Sequence, residues 1–162
     1  MQTLKQATLV FLIRKSQAAT QDICLAMKKR GFGMNKWNGV GGKVESGETI
    51  EQAAIRETKE EIAVHIQDID KVAELTFHFT HNPSWDQVVH VYITDSWDGE
   101  PTESEEMRPQ WYTVDSIPYD NMWPDDKFWL PEIVQGNKLK ASFTLDENDT
   151  ILDQQIHIVD NL

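Results

Sequence analysis

Apolar and polar positions change rhythm several times along this chain, and each change predicts an element. Ala7 to Ile13 is a nearly continuous apolar run, which predicts a strand covered on both faces. The polar stretch SQAATQD after it reads as a loop, and Ile23 to Met27 as a second strand. From Lys71 to Phe79 the pattern alternates, with Val72, Leu75, Phe77 and Phe79 set against Glu74, Thr76 and His78. Val88 to Ile93, Gln110 to Val114, Ala141 to Leu145 and Ile151 to Val159 read as further strands, with turns at Asp98-Gly99 and at Asp146 to Asp149. Glu103 to Pro109 reads as an acidic loop. Met122-Trp123-Pro124-Asp125-Asp126 opens a helix through Val134, with Pro131 as a kink or an early stop. Strands with two intervening helices point to an α/β or α+β fold.

The other helix is the better marked. Thr49 is a good N-cap and Gln52, three residues on, completes a capping box, so the helix is expected to start at Ile50. At about 100° per residue, Ile50, Ala54, Thr58 and Ile62 form one row, and Ala53, Glu57 and Glu61 the row beside it, flanked by Glu60. Three carboxylates therefore border the side that should be buried. Like charges one turn apart destabilise an isolated helix by roughly 0.2–0.5 kcal/mol per pair, and partial burial adds to that. A divalent cation removes the penalty. The glycines before the helix (Gly39, Gly41, Gly42 and Gly47) let backbone approach a phosphate or present a carbonyl.

Composition narrows the function classes. The 162 residues, 40% hydrophobic and 26% charged, are of ordinary size for one domain spanning 1–162. A net charge of −12 argues against a polymeric nucleic acid partner, and means that any anion site must be locally positive. The one dense basic cluster, Lys28-Lys29-Arg30, reads either as a solvated hairpin end or as an attraction for polyphosphate. No apolar run reaches the roughly 20 residues of a membrane span, and the N-terminal segment does not read as a signal peptide, so a cytoplasmic protein is expected. The single Cys24 excludes an intramolecular disulfide and reads as a core residue. The five histidines (His65, His78, His81, His90, His157) lack metal-ligand spacing and read as strand residues with satisfied hydrogen bonds.

Gly42, five residues, Glu48, seven residues, then Arg56-Glu57-Thr58-Lys59-Glu60-Glu61-Ile62-Ala63-Val64 resembles the Nudix box. Thr58 stands where an aliphatic is usual, and Ala63 replaces the glycine that ends the helix. If position 63 needs φ > 0, Ala costs about 1 kcal/mol there. The resemblance implies a mixed β-sheet sandwiched between helices. It also implies Mg²⁺, or Mn²⁺ in its place, held by Glu57, Glu60, Glu61, the Gly41 carbonyl and Glu106, with Glu103 and Glu105 as competitors for the last place. Arg56 is expected to pair with Glu48 or Glu60 and orient the carboxylates. Either Glu57 or Glu60 would help to deprotonate the attacking water.

Met27 to Gly33, Trp37-Asn38-Gly39, Glu106-Met107-Arg108-Pro109, Met122 to Asp126 and Asp149 to Asp153 are together similar to the MutT-homologue branch, the oxidised purine nucleoside triphosphate diphosphatases. That branch converts 8-oxo-dGTP and 2-hydroxy-dATP to monophosphate and pyrophosphate, clearing damaged precursors before DNA synthesis. The similarity implies a small-molecule nucleotide substrate, a monomer, and binding by Thr8, Lys28, Phe32, Asn38, Val40, Gly42, Phe77, Phe79, Met107, Trp123, Asp125 and Asp126. Two adjacent carboxyls in an aromatic pocket repel, so one is expected to hold a proton near neutral pH. The carboxylate then accepts from a guanine-type edge and the acid donates to an adenine-type edge. Rival readings are a Nudix hydrolase of ADP-ribose, nucleotide sugars or dinucleoside polyphosphates, and a non-catalytic nucleotide-binding module.

Overall fold

Strand β1 (Lys5–Lys15) sends alternate side chains to opposite faces, and both faces are covered. Leu9, Phe11 and Ile13 enter one core, which contains Trp129, Leu130 and Ile133 of helix α2 (Asp126–Val134). Val10 and Leu12 enter the other, against Ala54 and Ile62 of helix α1 (Ile50–Ile62). That double burial is why the run reads as continuously apolar. The computed structural model describes residues 4–15 and 20–162.

The remaining strands are β2 (Gln21–Lys28), β3 (Trp37–Asn38), β4 (His65–Phe79), β5 (Gln87–Asp98), β6 (Met107–Thr113), β7 (Lys138–Leu145) and β8 (Ile151–Val159). Among the described residues they form one mixed sheet in the order β3-β2-β1-β5-β4-β7-β8, with β6 on β2. The β1–β5 and β4–β7 pairs are parallel and the rest antiparallel. A mixed sheet between two helices is the α+β architecture that the sequence resemblance implies.

The split between β1 and β2 positions the site. β1 pairs with β2 only over Gln21 to Cys24. Beyond that, β2 pairs with β3 while β1 bridges to Val40 and Lys43. The segment from Trp37 to Lys43 thus wedges between two diverging strands. Its backbone runs so close to β1 that a Cβ on Gly41 would collide with the Thr8 carbonyl.

Several boundaries differ from the sequence reading. Met107 to Pro109 belong to β6, so the acidic loop stops at Glu106, while Val114 opens a 3₁₀ turn. Pro109 is tolerated because β6 pairs only with β2 and its other edge is free among the described residues. Helix α2 starts at Asp126 and runs three residues past Pro131, so the proline is not its stop. β4 begins at His65, and a register shift between Lys71 and Ala73 lets Val72 and Leu75 share one core although they stand three apart. Gln21 and Asp22 lie in β2, whereas residues 16–19 of the expected loop lie outside the described residues. His81 sits in the turn after β4, not in a strand, and buried His90 keeps Nδ1 without a hydrogen-bond partner while Nε2 meets Gln6 Oε1 at 2.6 Å.

Candidate active site

Helix α1 begins as the sequence predicts. Thr49 Oγ1 accepts from the Gln52 N–H at 3.1 Å and Gln52 Oε1 accepts from the Thr49 N–H at 2.9 Å. The helix ends at Ala63, whose φ of 60° and ψ of 31° are left-handed, the region where glycine is unstrained. Thr58 is buried and donates its hydroxyl to the Ala54 carbonyl at 2.8 Å, which satisfies a polar group at an aliphatic-type position.

The carboxylate row faces the glycine wedge. Glu61 is buried and accepts from the Gly41 N–H at 3.2 Å. Burial, helped by the neighbouring Glu57 charge, pushes its carboxyl up to about 8. Glu57 packs under Gly42, where an added Cβ would stand 2.6 Å from the Glu57 carboxyl carbon. Arg56 organises the rest. Its guanidinium donates to Glu48 at 2.7 and 3.0 Å, to Glu57 at 2.8 Å, to Glu60 at 3.2 Å and to the Lys43 carbonyl at 3.1 Å. Both pairings that the sequence suggested, with Glu48 and with Glu60, are therefore made at once.

Glu106 approaches from across the site, close enough for its charge to raise the Glu61 carboxyl further. It is held by Arg30 at 3.3 Å. Glu103 instead binds Lys29 at 2.6 Å, and Glu105 lies in solvent beside Arg30. The Lys29 and Arg30 charges are thus paired across the loop at 103–106. Lys28 has no ion pair among the described residues and lowers the Glu61 carboxyl from the cavity side.

Among the described residues no three His, Cys, Asp or Glu side chains form a ready metal cage. The donor chemistry nevertheless suits a hard divalent ion: carboxylate oxygens only, on one helix edge, beside a backbone that only glycine allows so near. Arg56 Nη1 holds Glu57 and Glu60 on that edge.

Next to this edge lies a cavity of about 210 Å³. It gathers Thr8, Lys28, Phe32, Asn38, Gly41, Gly42, Phe77, Phe79, Met107, Trp123, Asp125 and Asp126. Val40 is the exception. Its side chain is in the α1-side core and its backbone is paired with Val10 in both directions, so it does not line the cavity. Phe32 leans on Trp123 at 5.1 Å and on Trp85 at 5.5 Å between ring centroids, and Phe77 stacks on Phe143 at 5.6 Å. Asn38 Oδ1 is taken by the Gly39 N–H at 2.9 Å, which leaves its amide nitrogen for a ligand.

Asp125 and Asp126 are each only 2% exposed. Asp125 Oδ2 accepts from the Trp129 indole N–H at 2.8 Å, and its side chain makes no helix cap. Asp126 Oδ2 has no partner. Burial raises both carboxyls, and the Asp125 charge drives that of Asp126 well above the usual range. The pair therefore holds a proton to higher pH than a free aspartate would.

Among the polar and aromatic lining residues, three escaped the sequence reading: Lys36, Gln87 and Trp129. Trp129 was within reach, since it stands one helical turn after Asp125. Lys36, 5.1 Å above the Trp123 ring, and Gln87, at the start of β5, carry no local signal. Cys24 is buried, and its thiol is pushed up to about 12 by burial, which suits a core residue and not a nucleophile. No described helix is long and apolar enough to cross a membrane.

Comparison with known proteins adds an independent line. Residues 3–133 match the NUDIX domain model. The chain is 43% identical over 161 residues to the oxidized purine nucleoside triphosphate hydrolase of Mus musculus, covering 99% of each chain. It is 41% identical over 160 residues to the protein of the same name from Danio rerio, again over 99% of each. Among solved structures, the MutT protein of Bacillus halodurans superposes with a TM-score of 0.81, covering 94% of this chain and 97% of that one at 18% identity, a likeness of fold.

Proposed function

The chain belongs to the Nudix family, and on that premise we propose that it hydrolyses nucleoside triphosphates bearing an oxidised purine, 8-oxo-dGTP and 2-hydroxy-dATP among them, to the monophosphate and pyrophosphate. The observation that carries this reading is the pair Asp125 and Asp126, buried together at the end of an aromatic-walled cavity beside the α1 carboxylates. The names of the mouse and zebrafish relatives, so similar over nearly their whole lengths, support it.

A cavity of about 210 Å³ suits a base and leaves the phosphates to the wedge and helix edge. The ionised Asp125 accepts N–H donors from the purine, and the protonated Asp126 donates to a ring nitrogen or carbonyl. Asn38 contributes its free amide hydrogens. Phe32, Phe77, Phe79 and Trp123 provide the apolar walls, and Met107 a polarisable filler. Lys28, Thr8 and Gly42 lie between base and phosphates.

Nudix hydrolases generally need a divalent metal. We assign magnesium, or manganese, to Glu57, Glu60, Glu61, Glu106 and the Gly41 carbonyl. Such an ion, when bound, neutralises phosphate charge, polarises phosphorus and acidifies a coordinated water. Arg56, fixed by its two bonds to Glu48, keeps the carboxylates oriented. A carboxylate oxygen of Glu57 or Glu60 takes the proton of the attacking water. We infer a monomer with residues 1–162 as one domain. A cytoplasmic enzyme cleansing the nucleotide pool fits that substrate class.

The test is pyrophosphate release with magnesium across oxidised, methylated and ordinary purine triphosphates and ADP-ribose. Oxidised purines should be turned over best. Asp125→Asn and Asp126→Asn should shift the ratio of 8-oxo-dGTP to 2-hydroxy-dATP turnover by roughly ten- to a hundredfold, the worth of one charged hydrogen bond. An unchanged ratio in both variants would remove the base-reading role.

A further inference from the structure

We propose that Gln87 reads the oxidised five-membered-ring edge of the purine, an edge that the aspartate pair does not reach while it holds the six-membered ring. The inference rests on the substrate class proposed above.

Gln87 opens β5 and stands directly across from Phe77 in the β4–β5 ladder. Partners in a ladder point to the same face, and Phe77 lines the cavity, as does Gln87 itself. The residue is half-buried. Its side-chain amide makes no hydrogen bond among the described residues. The position is nevertheless rigid. The preceding residue, Asp86, closes the β4–β5 hairpin by accepting from the Phe79 N–H at 2.8 Å and meeting His78 Nδ1 at 3.1 Å. A half-buried amide with both functions unused among the described residues, lining from β5 the same cavity that the aspartates line from the start of α2, is placed to contact a ligand.

A carboxamide carries a donor and an acceptor side by side. An ordinary purine presents a bare N7 next to C8–H, so it can take one hydrogen bond, from the amide nitrogen to N7. An 8-oxo-purine presents N7–H next to C8=O. Gln87 Oε1 then accepts from N7–H while its Nε2 donates to the new carbonyl oxygen. Oxidation at C8 thereby adds one hydrogen bond at this residue. A purine oxidised at C2 keeps the ordinary five-membered ring and gains nothing there.

The experiment compares kcat/KM for 8-oxo-dGTP against dGTP, and for 2-hydroxy-dATP against dATP, in wild type, Gln87→Leu and Gln87→Glu. The Leu variant loses both functions. The Glu variant keeps the shape and the acceptor but loses the donor, so it can accept from the N7–H of an 8-oxo-purine and opposes the bare N7 of an ordinary one. The Leu variant should lower the 8-oxo-dGTP preference by roughly three- to tenfold, the worth of one neutral hydrogen bond, whereas the Glu variant should keep or raise it. The 2-hydroxy-dATP preference should hold, and melting temperatures should confirm folding. An undiminished 8-oxo-dGTP preference in the Leu variant, a Glu variant that falls as far as Leu, or an equal drop for both substrate pairs overturns the assignment. A wild-type enzyme indifferent to base oxidation overturns the functional reading itself, and this assignment with it.

Discussion

Arg56 and Glu48 are joined by two parallel hydrogen bonds, Nε to Oε2 at 3.0 Å and Nη2 to Oε1 at 2.7 Å. The pair holds the Glu48 carboxyl below the usual carboxylate range, chiefly through the guanidinium hydrogen bond. It also leaves Nη1 free to reach Glu57 and Glu60 together. One planar fork thus ties the loop before α1 to two carboxylates on the helix.

Lysine carries the same charge but cannot span these partners. Arg56→Lys should therefore reduce turnover by roughly ten- to a hundredfold, the usual effect of removing a group that orients metal-binding carboxylates. The magnesium concentration for half-maximal rate should rise as well. Turnover and magnesium dependence equal to wild type would show that only charge matters at this position.

Glu57→Gln retains an acceptor for Arg56 Nη1 and nearly the same volume under Gly42. The variant should melt close to wild type yet lose turnover on the order of a hundredfold or more at saturating magnesium, as expected for a general base or an essential carboxylate ligand. Retained turnover would take Glu57 out of the chemistry.

The buried aspartates make stability depend on pH with a definite sign. The Asp126 carboxyl is raised well above its ordinary 3.8 by burial and by Asp125, so the folded state binds the proton more tightly than the unfolded chain. Its contribution to stability is complete below about pH 3.8 and is lost as pH climbs toward the folded value. Asp126→Asn removes the titration. Melting temperatures from pH 4 to pH 9 should show wild type losing ground to the variant as pH rises, and parallel curves would contradict the assignment.

Ala63 holds φ at 60° while its N–H donates to the Lys59 carbonyl at 3.0 Å, so the helix end demands the left-handed region from a residue that resists it. Ala63→Gly should stabilise the fold by about 1 kcal/mol, raising the melting temperature by a few degrees without changing turnover. A lower melting temperature would mean that the extra freedom of glycine in the unfolded chain outweighs the relieved strain.

Much of this was readable in the chain itself, because the interactions concerned are local. The capping box at Thr49 and Gln52, the row containing Glu57 and Glu61, the reach of Arg56 to Glu60 and the left-handed demand at Ala63 all follow from spacings of a few residues on one helix. The alternation in β4 and the double-sided apolar run in β1 likewise reflect which face meets a core. Only the tertiary structure decided the rest, since it depends on which distant segments meet. The split of β1 from β2 brings Gly41 and Gly42 onto the helix edge, pairing across the 103–106 loop ties Glu103 to Lys29 and leaves Glu106 near Glu61, and Val40 turns into the core. Burial of Asp125 and Asp126 in the cavity wall, and the arrival of Gln87 in the same cavity, arise from strand register and helix docking. No window of neighbouring residues encodes those contacts.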